Sequence, residues 1–227
     1  MEIYPTEATE KFDDATFHRK YCLSFVRKYI QGDVLEVGAG CGSFTRDYID
    51  NNLKITLTET DKKNYDDLKK KFENNKNVEV EDKKIFQMEK KFDTILYLHV
   101  LEHIEDDKNE LNEVFKKLKS NGVLIIMVPQ HQSLYSNFDK YVGHFRRYEI
   151  EFFTPNLINL KREKLLSLDS LGYLLYFLNR IFFKKETFPS KFKIFIWDKI
   201  CTPFTILMDF FTNYKIGKSI IAVYKKY

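Results

Sequence analysis

Little in the sequence points away from an ordinary globular fold. Cysteine is scarce: Cys22, Cys41 and Cys201 are the three present, widely spaced in 227 residues. An odd, unclustered set excludes a disulfide framework or a zinc module and suits a reducing cytoplasm. No uninterrupted apolar run reaches the roughly 20 residues that cross a bilayer. Arg180 breaks the run Leu171–Phe183, and Asp198, Lys199 and Asp209 break Ile194–Phe211. The N-terminal stretch MEIYPTEATEKFDD is polar and acidic, so it does not read as a secretory signal. Charge of one sign is also lacking: 37 basic residues are interleaved with 33 acidic ones, the net is +4, and no nucleic-acid partner is implied. Repeats, low-complexity tracts and Pro/Gly/Ser linkers are absent. Aromatic residues are abundant, with 21 Phe and 14 Tyr, and they supply enough apolar area for a sizeable core.

The first two-thirds alternates strand and helix patterns. Asp33–Val37, Ile55–Glu59, Val78–Glu81, Thr94–Leu98 and Val123–Val128 read as strands. The last is a fully apolar run, as expected of a central parallel strand buried on both faces. Phe17–Ile30, Ser43–Asn51, Lys63–Glu73 and Asp106–Leu118 read as helices, with Asn121-Gly122 stopping the last. Such alternation implies an α/β fold with a parallel sheet and right-handed crossovers. In the last third aromatics become dense, Pro155, Pro189 and Pro203 punctuate the chain, and Ser219–Tyr224 reads as a closing strand. The apolar runs Leu171–Phe183 and Ile194–Phe211 read as core packing, with a lid, a dimer face or a membrane-touching surface as alternatives. The Lys184-Lys185 and Lys191–Lys193 charges leave weak membrane association open.

Val34–Gly42 reads VLEVGAGCG: an apolar strand running into Gly38, Gly40 and Gly42 and then into a helix. Glycine permits the tight turn and lets a ligand approach the backbone. Glu36, two residues before the first glycine, suits a ligand bearing an ammonium group rather than a dinucleotide. Glu59 ends the second strand at the spacing where an acid receives ribose hydroxyls. Asp61 is better placed as a helix N-cap. Asp82, after the third strand, can face an adenine amino group. Four of the five histidines follow the fourth and fifth strands: His99 and His103 in ILYLHVLEHIEDD, His131, and His144 in the GHFRRY segment. Loops at the carboxyl edge of an open α/β sheet are where ligands bind.

Together these residues resemble the class I S-adenosylmethionine-dependent methyltransferases. The Glu-x-Gly-x-Gly-x-Gly motif, Glu59 and Asp82 match in order, and Ile95–Asp107 is similar to the fourth-strand motif. The resemblance implies a doubly wound, mostly parallel seven-stranded, Rossmann-like sheet with an aromatic-rich C-terminal cap. It also implies a single domain over 1–227: an N-terminal helical segment (1–31), a cofactor-binding core (32–130), and an acceptor-binding cap with closing strands (131–227). Glu36, Gly38, Gly40, Gly42, Glu59, Asp82, Leu98 and His99 would then hold S-adenosylmethionine, with S-adenosylhomocysteine as product. The Gly143–Tyr148 box resembles a bacterial subgroup linked to glycosyltransferases and cell-surface polysaccharide (capsule) synthesis.

His103, His144 and His99 are the candidate catalytic residues. An imidazole titrates near working pH and can serve as general base. No metal is expected, although His99, Glu102 and His103, plus a later histidine, resemble the Glu-x-x-Glu-His set of some metal-dependent methyltransferases, with His99 replacing the first Glu, and would be the ligands for Zn, Fe or Ni. His131, Tyr135, His144, Arg146, Arg147 and Tyr148 are the candidate acceptor residues, with paired arginines as forks for phosphate or carboxylate. The expectation is O-methylation of a small anionic or carbohydrate acceptor, such as a sugar phosphate or a nucleotide- or lipid-linked intermediate. The enzyme would be cytoplasmic, at the inner face of the membrane if it associates with one. The oligomeric state is left open. A nicotinamide-dependent oxidoreductase and a non-catalytic subunit assisting a glycosyltransferase are the alternatives.

Overall fold

The computed structural model of the chain describes residues 13–155, 159–182 and 190–227. Seven strands, β1 (Asp33–Val37), β2 (Lys54–Thr58), β3 (Val78–Glu81), β4 (Phe92–Leu98), β5 (Leu118–Pro129), β6 (Leu160–Leu168) and β7 (Ser219–Lys226), form one sheet. The spatial order is β3-β2-β1-β4-β5-β7-β6. β3, β2, β1, β4 and β5 run parallel. β7 is antiparallel to both of its neighbours, β5 and β6.

Alternation along β5 divides the core. Leu124, Ile126 and Val128 face one apolar layer, and Val123, Ile125 and Met127 face the other. All six are buried, as a strand covered on both faces requires. Each such side chain contributes about 1.5–3 kcal/mol on removal from water. The helices are α1 (Thr16–Ser24), α2 (Ser43–Tyr48), α3 (Lys62–Phe72), α4 (Asp107–Lys117), α5 (Asn137–Tyr141), α6 (Ser170–Phe182), α7 (Lys191–Ile196) and α8 (Thr202–Phe211). A π-helical turn, Trp197–Cys201, joins α7 to α8. Asp61 caps α3 by accepting from the Asn64 N–H, as its sequence position suggested.

Three expectations are corrected. The Asn121-Gly122 pair does not stop the fourth helix. α4 ends at Lys117, and the pair lies within β5, where Asn121 has φ 63°. There the register jumps from Phe92↔Leu118 to Thr94↔Val123, so the pair forms a bulge. Strand β6 has no counterpart in the sequence reading, because Lys161, Arg162, Glu163 and Lys164 mask its pattern. Such charges are what an edge strand tolerates and uses to avoid further pairing. Finally, the aromatic run Ile194–Phe211 is not core: Phe195, Phe204, Phe210 and Phe211 are exposed. Lys184-Lys185 and the end of the run Leu171–Phe183 lie outside the described residues.

Candidate active site

The glycine loop follows β1, and all three of its glycines are left-handed: Gly38 at φ 62°, Gly40 at 55° and Gly42 at 70°. A Cβ at Gly42 would also lie 2.8 Å from atoms of Leu68 and Phe72 on α3, so this turn is closed to other residues. A Cβ at Gly38 would meet Val100 at 3.0 Å, which places the loop after β4 directly against the glycine loop.

Glu36 is buried beneath that loop. Its Oε2 accepts from Thr45 Oγ1 at 2.6 Å and from Tyr48 OH at 2.7 Å, both on α2. Burial pushes its carboxyl up to about 7, although the two hydroxyl donors favour the charged form. Glu59 is also buried. It accepts backbone N–H bonds from Gly40 (2.9 Å), Thr60 (2.8 Å) and Asp61 (2.9 Å), so it ties the end of β2 to the glycine loop. Burial raises its carboxyl, and the three N–H bonds counter part of that rise. Asp82 is exposed after β3. Leu98 is buried at the end of β4. His99, next to it, has φ 60°, a conformation costly for a residue with a Cβ. It projects its ring to 6.2 Å from Phe44.

His99, His103 and His144 gather around one buried carboxylate. Glu102 is fully buried, and among the described residues neither of its oxygens has a donor within hydrogen-bond distance. His99 Nδ1 lies 3.6 Å and His144 Nε2 3.9 Å from its Oε1. Burial pushes this carboxyl up, but the surrounding imidazoles of His99, His144 and His103 outweigh that and hold it below its ordinary range. The His103 and His144 rings meet edge-on at 4.6 Å, and burial lowers the His103 imidazole. Glu102, His103 and His144 can each offer one ligand atom within 4.8 Å of the others, so a metal could be held there. Of the set expected from sequence, Glu102, His103 and a later histidine, His144, come together, and His99 is not among them.

His144 is fixed from behind. Its Nδ1 lies 2.8 Å from Asp139 Oδ1, which also accepts from Arg147 Nε at 2.8 Å. Burial raises the Asp139 carboxyl, but His144 and Arg147 win and bring it down to about 2. Asp139 therefore stays ionised and keeps a proton on Nδ1, which turns Nε2 toward Glu102. The sequence reading missed Asp139, yet a signal exists. Ser136-Asn-Phe-Asp139 is a capping box, and Asp139 Oδ2 accepts from both the Ser136 N–H and its hydroxyl at 2.9 Å.

The remaining acceptor candidates are placed differently from expectation. Arg146 binds Asp107 at 2.8 Å and the Glu105 carbonyl at 2.7 Å. Arg147 is buried, paired with Asp139 and stacked on the Tyr176 ring at 5.0 Å. The two guanidinium groups are thus held by protein carboxylates rather than presented as a fork. Tyr148 is buried, with its OH 2.9 Å from Asp107 Oδ2. Tyr135 OH donates to the His144 carbonyl at 2.5 Å. His131 stands apart, with Nε2 3.0 Å from the Gly217 carbonyl and its ring 4.7 Å from Tyr173. The GHFRRY segment is therefore a clamp on the LEHIEDD segment. Phe145 N–H donates to the Glu102 carbonyl at 2.8 Å, and His103 Nδ1 lies 3.3 Å from the Gly143 carbonyl.

A parallel sheet closed by one antiparallel strand, with a glycine loop at its first crossover and acids at two strand ends, defines a methyltransferase-type fold. Residues 35–124 match the family model described as "Methyltransferase domain". Comparison with curated proteins finds no match. Among solved structures, coclaurine N-methyltransferase bound to N-methylheliamine and S-adenosylhomocysteine is similar at TM-score 0.61 and 17% identity, over 93% of this chain and 72% of that one. The N-methyltransferase NodS from Bradyrhizobium japonicum WM9, in complex with S-adenosylhomocysteine, is similar at 0.61 and 14% identity, over 95% and 90%. A putative sarcosine dimethylglycine methyltransferase from Galdieria sulphuraria gives 0.60 and 14% identity, over 93% and 85%.

Proposed function

We propose that this chain is an S-adenosylmethionine-dependent methyltransferase acting on a small acceptor held against Glu102, His103 and His144. The observation that carries the reading is the row Asp139–His144–Glu102, set at the loop that packs on the glycine turn. Glu36, the glycine loop and Glu59 are the groups that would take the methionine ammonium and the ribose hydroxyls, and Asp82 and Leu98 would border the rest of the nucleoside.

Bound S-adenosylmethionine would supply an electrophilic methyl group and leave as S-adenosylhomocysteine, while His144 Nε2 would take the proton released by the acceptor hydroxyl. The imidazolium so formed lies between two carboxylates, Asp139 and Glu102, and is stabilised by both. General base assistance of this kind is worth about 10²–10⁴-fold, and alignment of the reactants supplies most of the remainder. A hydroxyl on a carbohydrate acceptor, in a cell-surface polysaccharide pathway, is the substrate class that the Gly143–Tyr148 box supports. Recognition of an anion by Arg146 and Arg147 is not part of the proposal, since both are already paired. The donor-free carboxylate of Glu102 supports a second reading, an amine acceptor.

Calorimetry with S-adenosylhomocysteine, followed by methyl transfer from labelled S-adenosylmethionine to sugar, lipid-linked sugar and amine panels, tests both levels. Binding of S-adenosylhomocysteine is expected, with transfer to one panel. No heat and no thermal shift with that nucleoside would end the reading.

A further inference from the structure

The C-terminal helical segment is amphipathic with its polarity reversed. Along α7, the π-helical turn and α8, the stripe Asp198, Thr202, Thr205 and Asp209 points inward and is at most 1% exposed. The stripe Ile200, Phe204, Leu207 and Phe211, offset by two residues, points outward and is 51–72% exposed. In a helix that merely covers a core the assignment is the opposite.

The inward stripe has a structural use. Asp198 accepts the backbone N–H groups of Phe17 and His18 at the start of α1, at 3.2 and 2.8 Å. Asp209 accepts those of Asp169 and Ser170 at the start of α6, at 2.9 and 2.8 Å, and the Tyr21 hydroxyl at 2.8 Å. It therefore satisfies helix N-termini that would otherwise be orphaned. Among the described residues the outward stripe has no such use. α6 packs beside α8 and extends the apolar surface with exposed Leu174, Leu175, Phe177 and Leu178. No charged side chain interrupts the described residues 170–178 or the outward face of 203–211.

Charge identifies the occupant. Among the described residues from 190 onward the acids are Asp198 and Asp209, both buried, whereas Lys191 is exposed in the first turn of the segment and Lys215 is exposed beyond its C-terminal end. Asp14 sits near the Lys191 end, beside Phe192 and Phe195. A second copy of the chain, packed about a two-fold axis on this stripe, would bring lysines against lysines. A surface that is apolar along its middle and cationic at its ends fits an anionic lipid interface.

We propose that α6 and the segment 191–211 dock this protein on an anionic membrane surface, with Phe204, Leu207 and Phe211 entering the acyl boundary and Lys191 and Lys215 meeting lipid phosphates. The proposal is independent of the methyl-transfer reading, because none of these residues belongs to the glycine loop or to the histidine cluster.

The test is flotation of the full chain with phosphatidylcholine vesicles, with and without phosphatidylglycerol, alongside light scattering. Flotation is expected with the anionic vesicles, reduced about tenfold by Phe204→Ser/Leu207→Ser/Phe211→Ser and by added salt. Lys191→Glu/Lys215→Glu should weaken it too, which keeps the test decisive if the triple variant does not fold. Equal flotation with neutral vesicles, no flotation with either, or a dimer that the triple substitution disperses would each overturn the proposal. The S-adenosylhomocysteine thermal shift of the same variants separates its failure from that of the catalytic reading.

Discussion

Glu36, as the proposed site of the ligand's ammonium group, would make binding depend on pH through one buried carboxyl. With its carboxyl at about 7 in the free protein, it is largely protonated at pH 5 and ionised above pH 7. Because the folded value is raised, the stability this residue contributes is complete below its ordinary range and is lost as pH climbs to about 7. A bound ammonium requires the ionised form. S-Adenosylhomocysteine affinity should therefore tighten about tenfold per pH unit between pH 5 and 7 and level off above. Glu36→Gln should flatten that slope, as calorimetry across the range will show. A slope unchanged in Glu36→Gln would remove Glu36 from the ammonium site.

Asp139 and Arg147 give a second prediction at this scale. Arg147→Ala leaves a buried carboxylate with one partner fewer, and urea unfolding should reveal a loss of about 3–5 kcal/mol. Asp139→Asn keeps much of the volume but removes the charge that orients His144. Turnover should fall by at least about tenfold, with S-adenosylhomocysteine affinity retained. Loss of that affinity in step with turnover would make Asp139 a general structural residue instead. The glycine-loop half of the candidate site was legible as a structural unit because its residues are tied by sequence spacing: an acid, alternating glycines and an acid at the next strand end. The Arg146 and Arg147 partners were not, because Asp107 and Asp139 lie 39 and 8 residues away along the chain and meet them only through the fold.

At the scale of elements, strands with apolar runs could be read directly, and edge strand β6 could not. Its residues obey the solubility needs of a sheet margin, which erase the alternation used to find strands. Helix 191–211 shows a subtler limit. The spacing of Asp198, Thr202, Thr205 and Asp209 is helical and visible in the sequence. Periodicity, however, gives the existence of two faces and not which one turns inward. The acids that seemed to break an apolar run are the buried ones, and the exposed face is correspondingly less polar than the composition suggests. Asp209→Ala should thus be costly despite lying in an exposed-looking segment. It strands two backbone donors and the Tyr21 hydroxyl, and at about 1–3 kcal/mol per unsatisfied buried group a loss above about 2 kcal/mol is expected in urea titrations. A smaller loss would mean that water replaces the carboxylate.

For the whole molecule, the sheet order brings the loops after β1, β2 and β4 to one rim, and the segment after β5 is clamped to the loop after β4. Ligand binding at that rim should stabilise the entire domain. A hundredfold excess of S-adenosylhomocysteine over its dissociation constant corresponds to about 2.7 kcal/mol, read as a rise in melting temperature. The topology was accessible from the alternation of strand and helix, because parallel neighbours must be joined by crossovers. The closing strand Ser219–Tyr224 could be read from its local pattern, but its reversed direction has no local signal, and the resemblance implied only a mostly parallel sheet.

The position of β7 also dictates an order of assembly. β6 ends at Leu168, yet the strand beside which it lies begins only at Ser219. Until residues 219–226 emerge from the ribosome, β5 keeps a bare hydrogen-bonding margin and β6 has no place to attach. A nascent or prematurely terminated chain therefore presents two unsatisfied edges at once. It is then most prone to aggregation and most dependent on chaperones.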